Sequence, residues 1–177
     1  MGLALTSIGM LFTGLTSAYV VRQALDPAWR ATPMPKILLI NTAVLLASSV
    51  TLEKARRALG GIAAGSRFEW LAATMALGIA FVGGQFMAWR QLTSGGIYLS
   101  TNPHSSFFYL LTGLHGLHLL GGILALGYLC LRASRDYSFV AAVPRVDPVR
   151  AIGATALYWH FMGGLWVYLL VLLFVRG

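Results

Sequence analysis

The chain has 177 residues, of which 58% are hydrophobic and 10% charged, and its formal net charge is +8. Soluble domains carry about 25% charged residues, so an ordinary water-soluble globule is excluded. A mean hydropathy of +0.75 excludes disorder, and a lone cysteine, Cys130, excludes intramolecular disulfides and cysteine-based metal clusters.

A spanning helix needs about 20 largely apolar residues, its ends marked by charges that stay in headgroups or water. From Met1 the chain is uncharged to Val21 and stops at Arg22. This first span lacks the basic leader of a signal peptide, so it is expected to be retained. Ile37 to Leu52 is uncharged between Lys36 and the cluster Glu53, Lys54, Arg56 and Arg57. That run is short, and flanking Lys and Arg stems must snorkel to complete it. Trp70 to Trp89 is uncharged between Glu69 and Arg90. Ser94-Gly95-Gly96 and Ser100-Thr101-Asn102-Pro103 then read as a loop. A fourth helix follows from about His104 to Leu131, and the last runs from Ala151 to Val175, closed by Arg176. The expected fold is a single all-α integral membrane domain of five transmembrane helices, near residues 2–22, 36–58, 68–91, 104–131 and 151–175.

Alternate loops lie on opposite sides. Lys54, Arg56, Arg57, Arg67, Arg132, Arg135, Arg145 and Arg150 share one side with the N-terminus; Arg22, Arg30, Lys36, Arg90 and Arg176 share the other. The richer side is expected to be cytoplasmic, placing the N-terminus inside and the C-terminus outside. Positive charge beside an anionic leaflet needs no nucleic-acid partner.

Membrane helices associate through small residues and a few polar contacts. Thr6, Gly9, Thr13 and Thr16 form such a seam on the first helix, and Asn41 and Ser48, with Thr42 and Ser49 beside them, on the second. Thr74, Gly78, Phe81 and Gln85 continue the pattern on the third, Gly113, Gly116, Gly121 and Gly122 on the fourth, and Gly163-Gly164 on the last. No Asp, Glu, Lys or Arg lies near the middle of a span, which argues against a transporter or ion pump.

His115 and His118 share a helix face, and His160 lies on the final helix. Imidazoles suit haem, copper and zinc, so a small His-ligated membrane cytochrome is one reading. A catalytic zinc site would also want a nearby carboxylate, which is missing. The favoured reading is hydrogen bonding between helices or to backbone carbonyls. His104, beside Pro103, is expected to be interfacial. So are most of Tyr19, Trp29, Trp70, Trp89, Tyr98, Tyr109, Tyr158 and Trp159, as anchors at headgroup level. The loop from Arg132 to Arg150, with Pro144 and Pro148, is a candidate contact surface.

The run Ser106-Phe107-Phe108-Tyr109-Leu110-Leu111-Thr112-Gly113-Leu114-His115-Gly116-Leu117-His118 resembles subunit III of the haem–copper oxidases. So does Tyr158-Trp159-His160-Phe161 followed by Leu165-Trp166. Ala18-Tyr19 with Arg22, Asn41-Thr42, Leu45-Leu46, Ser48-Ser49, Gly78, Phe81 and Gln85 support the match, which resembles the family's five-helix bacterial form. The resemblance implies a non-catalytic core subunit of a terminal oxidase in the bacterial inner membrane, part of an assembly that reduces oxygen to water and translocates protons. It implies no redox centre in this chain. Haems and copper would reside in subunits I and II, subunit I being the direct partner, and phospholipid would be bound. The residues implied in structure, subunit contact or lipid contact are Tyr19, Arg22, Asn41, Gln85, His115, His118, Tyr158, Trp159, His160 and Trp166. His115, His118 and His160 would be internal polar ties. Two positions depart from the family pattern, which commonly has a glutamate where Ile8 follows Ser7 and an aspartate at Gly163. Those departures also suit a subunit III-like protein associated with nitric oxide reductase.

Overall fold

The computed structural model describes residues 2–26, 29, 32–58, 64–133 and 147–176. Five helices carry almost all of them: α1 (Gly2–Leu25), α2 (Ile37–Arg57), α3 (Ala64–Ser94), α4 (Pro103–Ala133) and α5 (Pro148–Val175). All five are long and apolar enough to cross a membrane, so the chain is a multi-pass membrane protein. Among the described residues there is no strand.

Helices α2 to α5 form a closed ring in which each packs on two neighbours, α2 meeting α5 to complete it; α1 lies outside, mainly against α4. The short second span is completed as its flanking charges allow. Glu53 pairs with Arg56 and Arg57 at 3.3 and 3.2 Å on the helix surface, and Lys54 Nζ lies 4.4 Å from the centre of the Trp70 ring. With these charges at its end, α2 runs to Arg57, close to the expected end at 58.

The last helix begins three residues earlier than the charge pattern placed it. Asp147 Oδ1 accepts from Val149 N at 3.0 Å, and Pro148 occupies the first turn, where a missing N–H costs no intrahelical bond. Asn102 and Ser105 cap α4 reciprocally: Ser105 N donates to Asn102 Oδ1 at 2.8 Å, and Asn102 N donates to Ser105 Oγ at 3.1 Å. The candidate contact loop between α4 and α5 falls largely on residues 134–146, outside the described residues.

The packing centre of the ring is Trp159. Its side chain is fully buried, and its indole lies against two glycines, one on neighbouring α4 and one on α3 across the ring. A Cβ at Gly78 on α3 would stand 2.7 Å from Trp159 Cη2, and one at Gly122 on α4 would stand 3.1 Å from Cε3. Real Cβ atoms essentially never approach as closely as 2.7 Å, so only glycine at 78 admits the ring where it lies, and a Cβ at Gly122 would push it by a few tenths of an ångström. Trp159 is therefore a mid-bundle wedge and not the headgroup anchor expected of it. The physical reason is depth, since it lies near the centre of a helix running from Pro148 to Val175.

A side chain at Gly78 should force the wedge out. Gly78→Leu is expected to lower stability by about 1–3 kcal/mol, as overpacked cores do, read as an earlier thermal transition in detergent. Gly83→Ala, whose Cβ meets nothing within 4 Å, is the control and should unfold with the wild type. Equal transitions for both variants would contradict the wedge.

Candidate functional site

Most of the residues singled out by the sequence motifs converge on the middle of the ring, on facing sides of α2, α3, α4 and α5. Two tryptophans of α5 reach across to hydroxyls of α2. Trp159 Nε1 donates to Ser48 Oγ at 2.9 Å, and Trp166 Nε1 donates to Thr42 Oγ1 at 3.0 Å. Each hydroxyl spends its own proton on its helix: Ser48 donates to Leu45 O at 2.6 Å and Thr42 to Leu38 O at 2.8 Å. A hydroxyl so committed offers its lone pairs to the indole, and the interhelical bond forms without leaving a donor idle.

Asn41 joins α2 to α3 by donating from Nδ2 to Phe81 O at 3.1 Å. Its amide lies against Gly84, where a Cβ would overlap Asn41 Oδ1. Phe81 in turn meets Trp166 edge-on, with ring centres 4.9 Å apart at 89°, and His115 at 5.9 Å and 74°. His115 also lies against Trp166 at 5.1 Å. It is fully buried, and among the described residues neither ring nitrogen has a hydrogen-bond partner; the same holds for both polar atoms of the buried Gln85.

The three motif histidines meet different fates. His115 is internal, held by aromatic rings and by no hydrogen bond. His118 is half-buried; its Nδ1 lies 2.7 Å from Leu114 O on its own helix, while its backbone carbonyl accepts from Tyr158 OH at 2.7 Å. Phe12 of α1 rests edge-on against its ring at 5.8 Å. His160 is exposed on the outer surface of α5. The expectation that it ties helices inside the bundle fails, because Trp159, one residue earlier, occupies the inward face and successive helical residues are rotated by about 100°.

Other expected anchors are also internal. Tyr19 is fully buried at the far end of α1, in an aromatic cluster with Trp29 (5.1 Å), Phe107 (5.5 Å) and His104 (5.9 Å). His104 is buried too, and its Nδ1 accepts from Thr32 N at 3.2 Å, so it is not simply interfacial. Arg22, one turn beyond Tyr19, is exposed and pairs with Asp26 at 3.1 Å. The small-residue seam proposed for α1 packs only in part: Thr16 is buried and Gly9 faces Phe161 of α5. Thr6 and Thr13 are exposed and bond carbonyls of their own helix, whereas Ile8, Phe12, Thr16 and Tyr19 are buried.

The two departures from the family pattern are equally legible. Ile8 is 9% exposed. A Cβ at Gly163 would stand 3.7 Å from Ser49 Oγ on α2, within the α2–α5 contact. Among the described residues no three His, Cys, Asp or Glu side chains group as a metal site.

These features define a polytopic helical bundle with buried ties between its helices and exposed outward faces. Residues 3–177 match the family model described as cytochrome c oxidase subunit III. Cytochrome c oxidase subunit 3 of Synechocystis sp. is 32% identical over 177 residues, covering 98% of this chain and 72% of its own. The probable cytochrome c oxidase subunit 3 of Nocardia farcinica is 34% identical over 184 residues, with 97% and 84% covered. Cytochrome c oxidase subunit 3 of Thermostichus vulcanus is 29% identical over 174 residues, with 97% and 83% covered. The chain belongs to the cytochrome c oxidase subunit III family.

The unpartnered imidazole of His115 leads to a stability prediction. A buried polar group without a partner costs about 1–3 kcal/mol, and an apolar ring of similar shape removes that cost. His115→Phe should therefore unfold no earlier than the wild type, while Trp166→Ala should lose about 3–5 kcal/mol. A transition several degrees lower for His115→Phe would show that the imidazole holds a partner such as an ordered water.

Proposed function

We propose that this chain is a redox-silent core subunit of a respiratory oxidase in a bacterial inner membrane. In this reading it packs directly against the haem- and copper-bearing subunit I, alongside subunit II, and stabilises the complex in which oxygen is reduced and protons are moved. Its N-terminus faces the cytoplasm, in keeping with the excess of basic residues on that side. The observation that carries the proposal is the match to the subunit III family over residues 3–177. Geometry supports it. His115 is enclosed by Phe81 and Trp166, His118 is engaged with its own helix, and His160 points out of the bundle. These imidazoles do not converge on one space that a haem iron or copper ion could share.

The relatives' names carry cytochrome c as the oxidase's electron donor, and the same donor is proposed here. Lipid is the proposed third partner, because α1 leaves apolar grooves on both of its flanks. One, of about 580 Å³, includes Gly9, Thr13 and Phe161; the other, of about 300 Å³, includes Ala4, Gly122 and Tyr158.

Affinity purification of the tagged chain from its native membranes in mild detergent tests the proposal. The expected eluate shows haem bands in a reduced-minus-oxidised spectrum and consumes oxygen with reduced cytochrome c. Nitric oxide reduction without oxygen uptake would place the chain in a different assembly. A colourless eluate would contradict both.

A further inference from the structure

The residues that lead into α2 are joined to the start of α4 by a bond that only one protonation state allows. Thr32 N donates to His104 Nδ1 at 3.2 Å, and both residues are buried. Among the described residues it is the one hydrogen bond between positions 29–36 and α4. An imidazole nitrogen accepts only through its lone pair, so His104 is neutral here and carries its ring proton on Nε2. The imidazolium has an N–H on both nitrogens. Neither could accept from Thr32, and turning the ring over would only exchange one donor for the other.

The rest of the junction does not replace that bond. Trp29 packs edge-on against the His104 ring at 5.4 Å and against Tyr19 at 5.1 Å. Its own N–H donates to Asp26 O at 3.1 Å, which ties it to the end of α1 and not to α4. Trp29 Nε1 and Thr32 Oγ1 are buried and make no hydrogen bond among the described residues. Ring contacts are not directional enough to satisfy an amide. Once its acceptor is lost, Thr32 N is a buried orphan unless the segment moves toward water.

His104 is the one histidine at this end of the bundle. The other three lie about three to four turns deeper, His115 and His118 on α4 and His160 on α5. From α1 the Tyr19 ring faces it at 5.9 Å. Beyond Tyr19, Arg22 pairs with Asp26 at 3.1 Å, and Gln23 Nε2 donates to Arg176 O. The end of α5 approaches through the Leu173 backbone and Arg176, and Lys36 is exposed before α2. Histidine is the side chain whose charge ordinarily changes between pH 5 and 8.

We infer that His104 is a proton-controlled fastener: as the neutral imidazole it pins the lead-in to α2 onto the start of α4, and on taking up a proton it lets go. In the orientation proposed above, this end lies on the outer side of the membrane. Only that placement rests on the proposed function. A pinned state that admits only the neutral ring competes with a released state whose imidazole titrates at about 6.5. Release is then nearly constant above pH 7.5, about tenfold more frequent at pH 5.5, and rises about tenfold with each further unit of acidity.

Amide hydrogen exchange of the full chain in its native complex, resolved to single residues and corrected for the intrinsic pH dependence of exchange, tests this. Opening at the Thr32 amide should be about tenfold more frequent at pH 5.5 than at pH 7.5. The Ile97 amide near the same end donates to Leu92 O at 2.9 Å, an acceptor that does not titrate, and should not respond. His104→Asn, whose side-chain oxygen can stand where Nδ1 does, should keep Thr32 protected at both pH values. His104→Phe retains a ring but no acceptor, and should leave Thr32 unprotected at both. Equal protection of wild-type Thr32 at the two pH values would overturn the inference, as would a response that persists in His104→Asn or is matched at Ile97. If the variants do not fold, the contrast between Thr32 and Ile97 in the wild type decides alone. Haem content of the complex plays no part in the readout, so a failure here and a failure of the oxidase reading remain distinct.

Discussion

The bundle depends on one large side chain admitted by two absent ones. Trp159 enters the centre of the ring because Gly78 and Gly122 leave room for its indole on α3 and α4, and its N–H is satisfied by Ser48 on α2. A single residue of α5 thereby touches all three of its ring partners. In lipid, where no hydrophobic force draws helices together, such close packing combined with a hydrogen bond is the main source of association. Trp166 repeats the device one layer away, through Thr42 and the rings of Phe81 and His115. Helix α1 has no equivalent wedge. It is attached by Phe12 against His118 and by the aromatic cluster around Tyr19, which is why grooves remain along its flanks.

This arrangement accounts for a membrane protein with several histidines and no evident chemistry. Metal ligation requires imidazoles that share a space and a second shell that orients them. Here the rings are dispersed: one among aromatics, one turned to its own helix, one outward. The same dispersal suits a subunit whose work is contact. Ties inside fix a rigid body, and the faces left over are available to neighbours. Charges are confined to the helix ends, where Arg22 with Asp26 and Glu53 with Arg56 and Arg57 form exposed pairs of little energetic weight.

The five crossings were readable from the spacing of charges, because a hydrocarbon core tolerates no other arrangement of so apolar a chain. The polar faces of α2 and α3 were readable as well: Asn41, Ser48, Thr74, Phe81 and Gln85 are all buried, at the spacing that aligns them on one stripe. Rotation of α5 was harder. Its motif places Tyr158, Trp159, His160 and Phe161 at consecutive positions, which face every direction around a helix, so composition alone does not say which turns inward. Gly122 and Gly78, far away in the chain, decide it. Depth was misjudged for Trp159, and burial for Tyr19, for a related reason. An aromatic residue serves equally well at an interface or in a core, and only the partner helix distinguishes the two. On α1, the small-residue seam suggested close helix packing, yet Ile8 and Phe12 join Thr16 in the contact, and Thr6 and Thr13 are left on the surface.

The central claim is that this chain contributes structure and contact to an oxidase whose redox centres lie in other subunits. The most direct measurement is the visible spectrum of the chain expressed alone with haem and copper supplied, purified in mild detergent, and compared with the same chain carrying His115→Phe. The account predicts no Soret band in either sample, with the helical far-ultraviolet signal of a folded bundle. A Soret band in the wild-type chain that is lost in His115→Phe would contradict it and make the buried histidine a haem ligand.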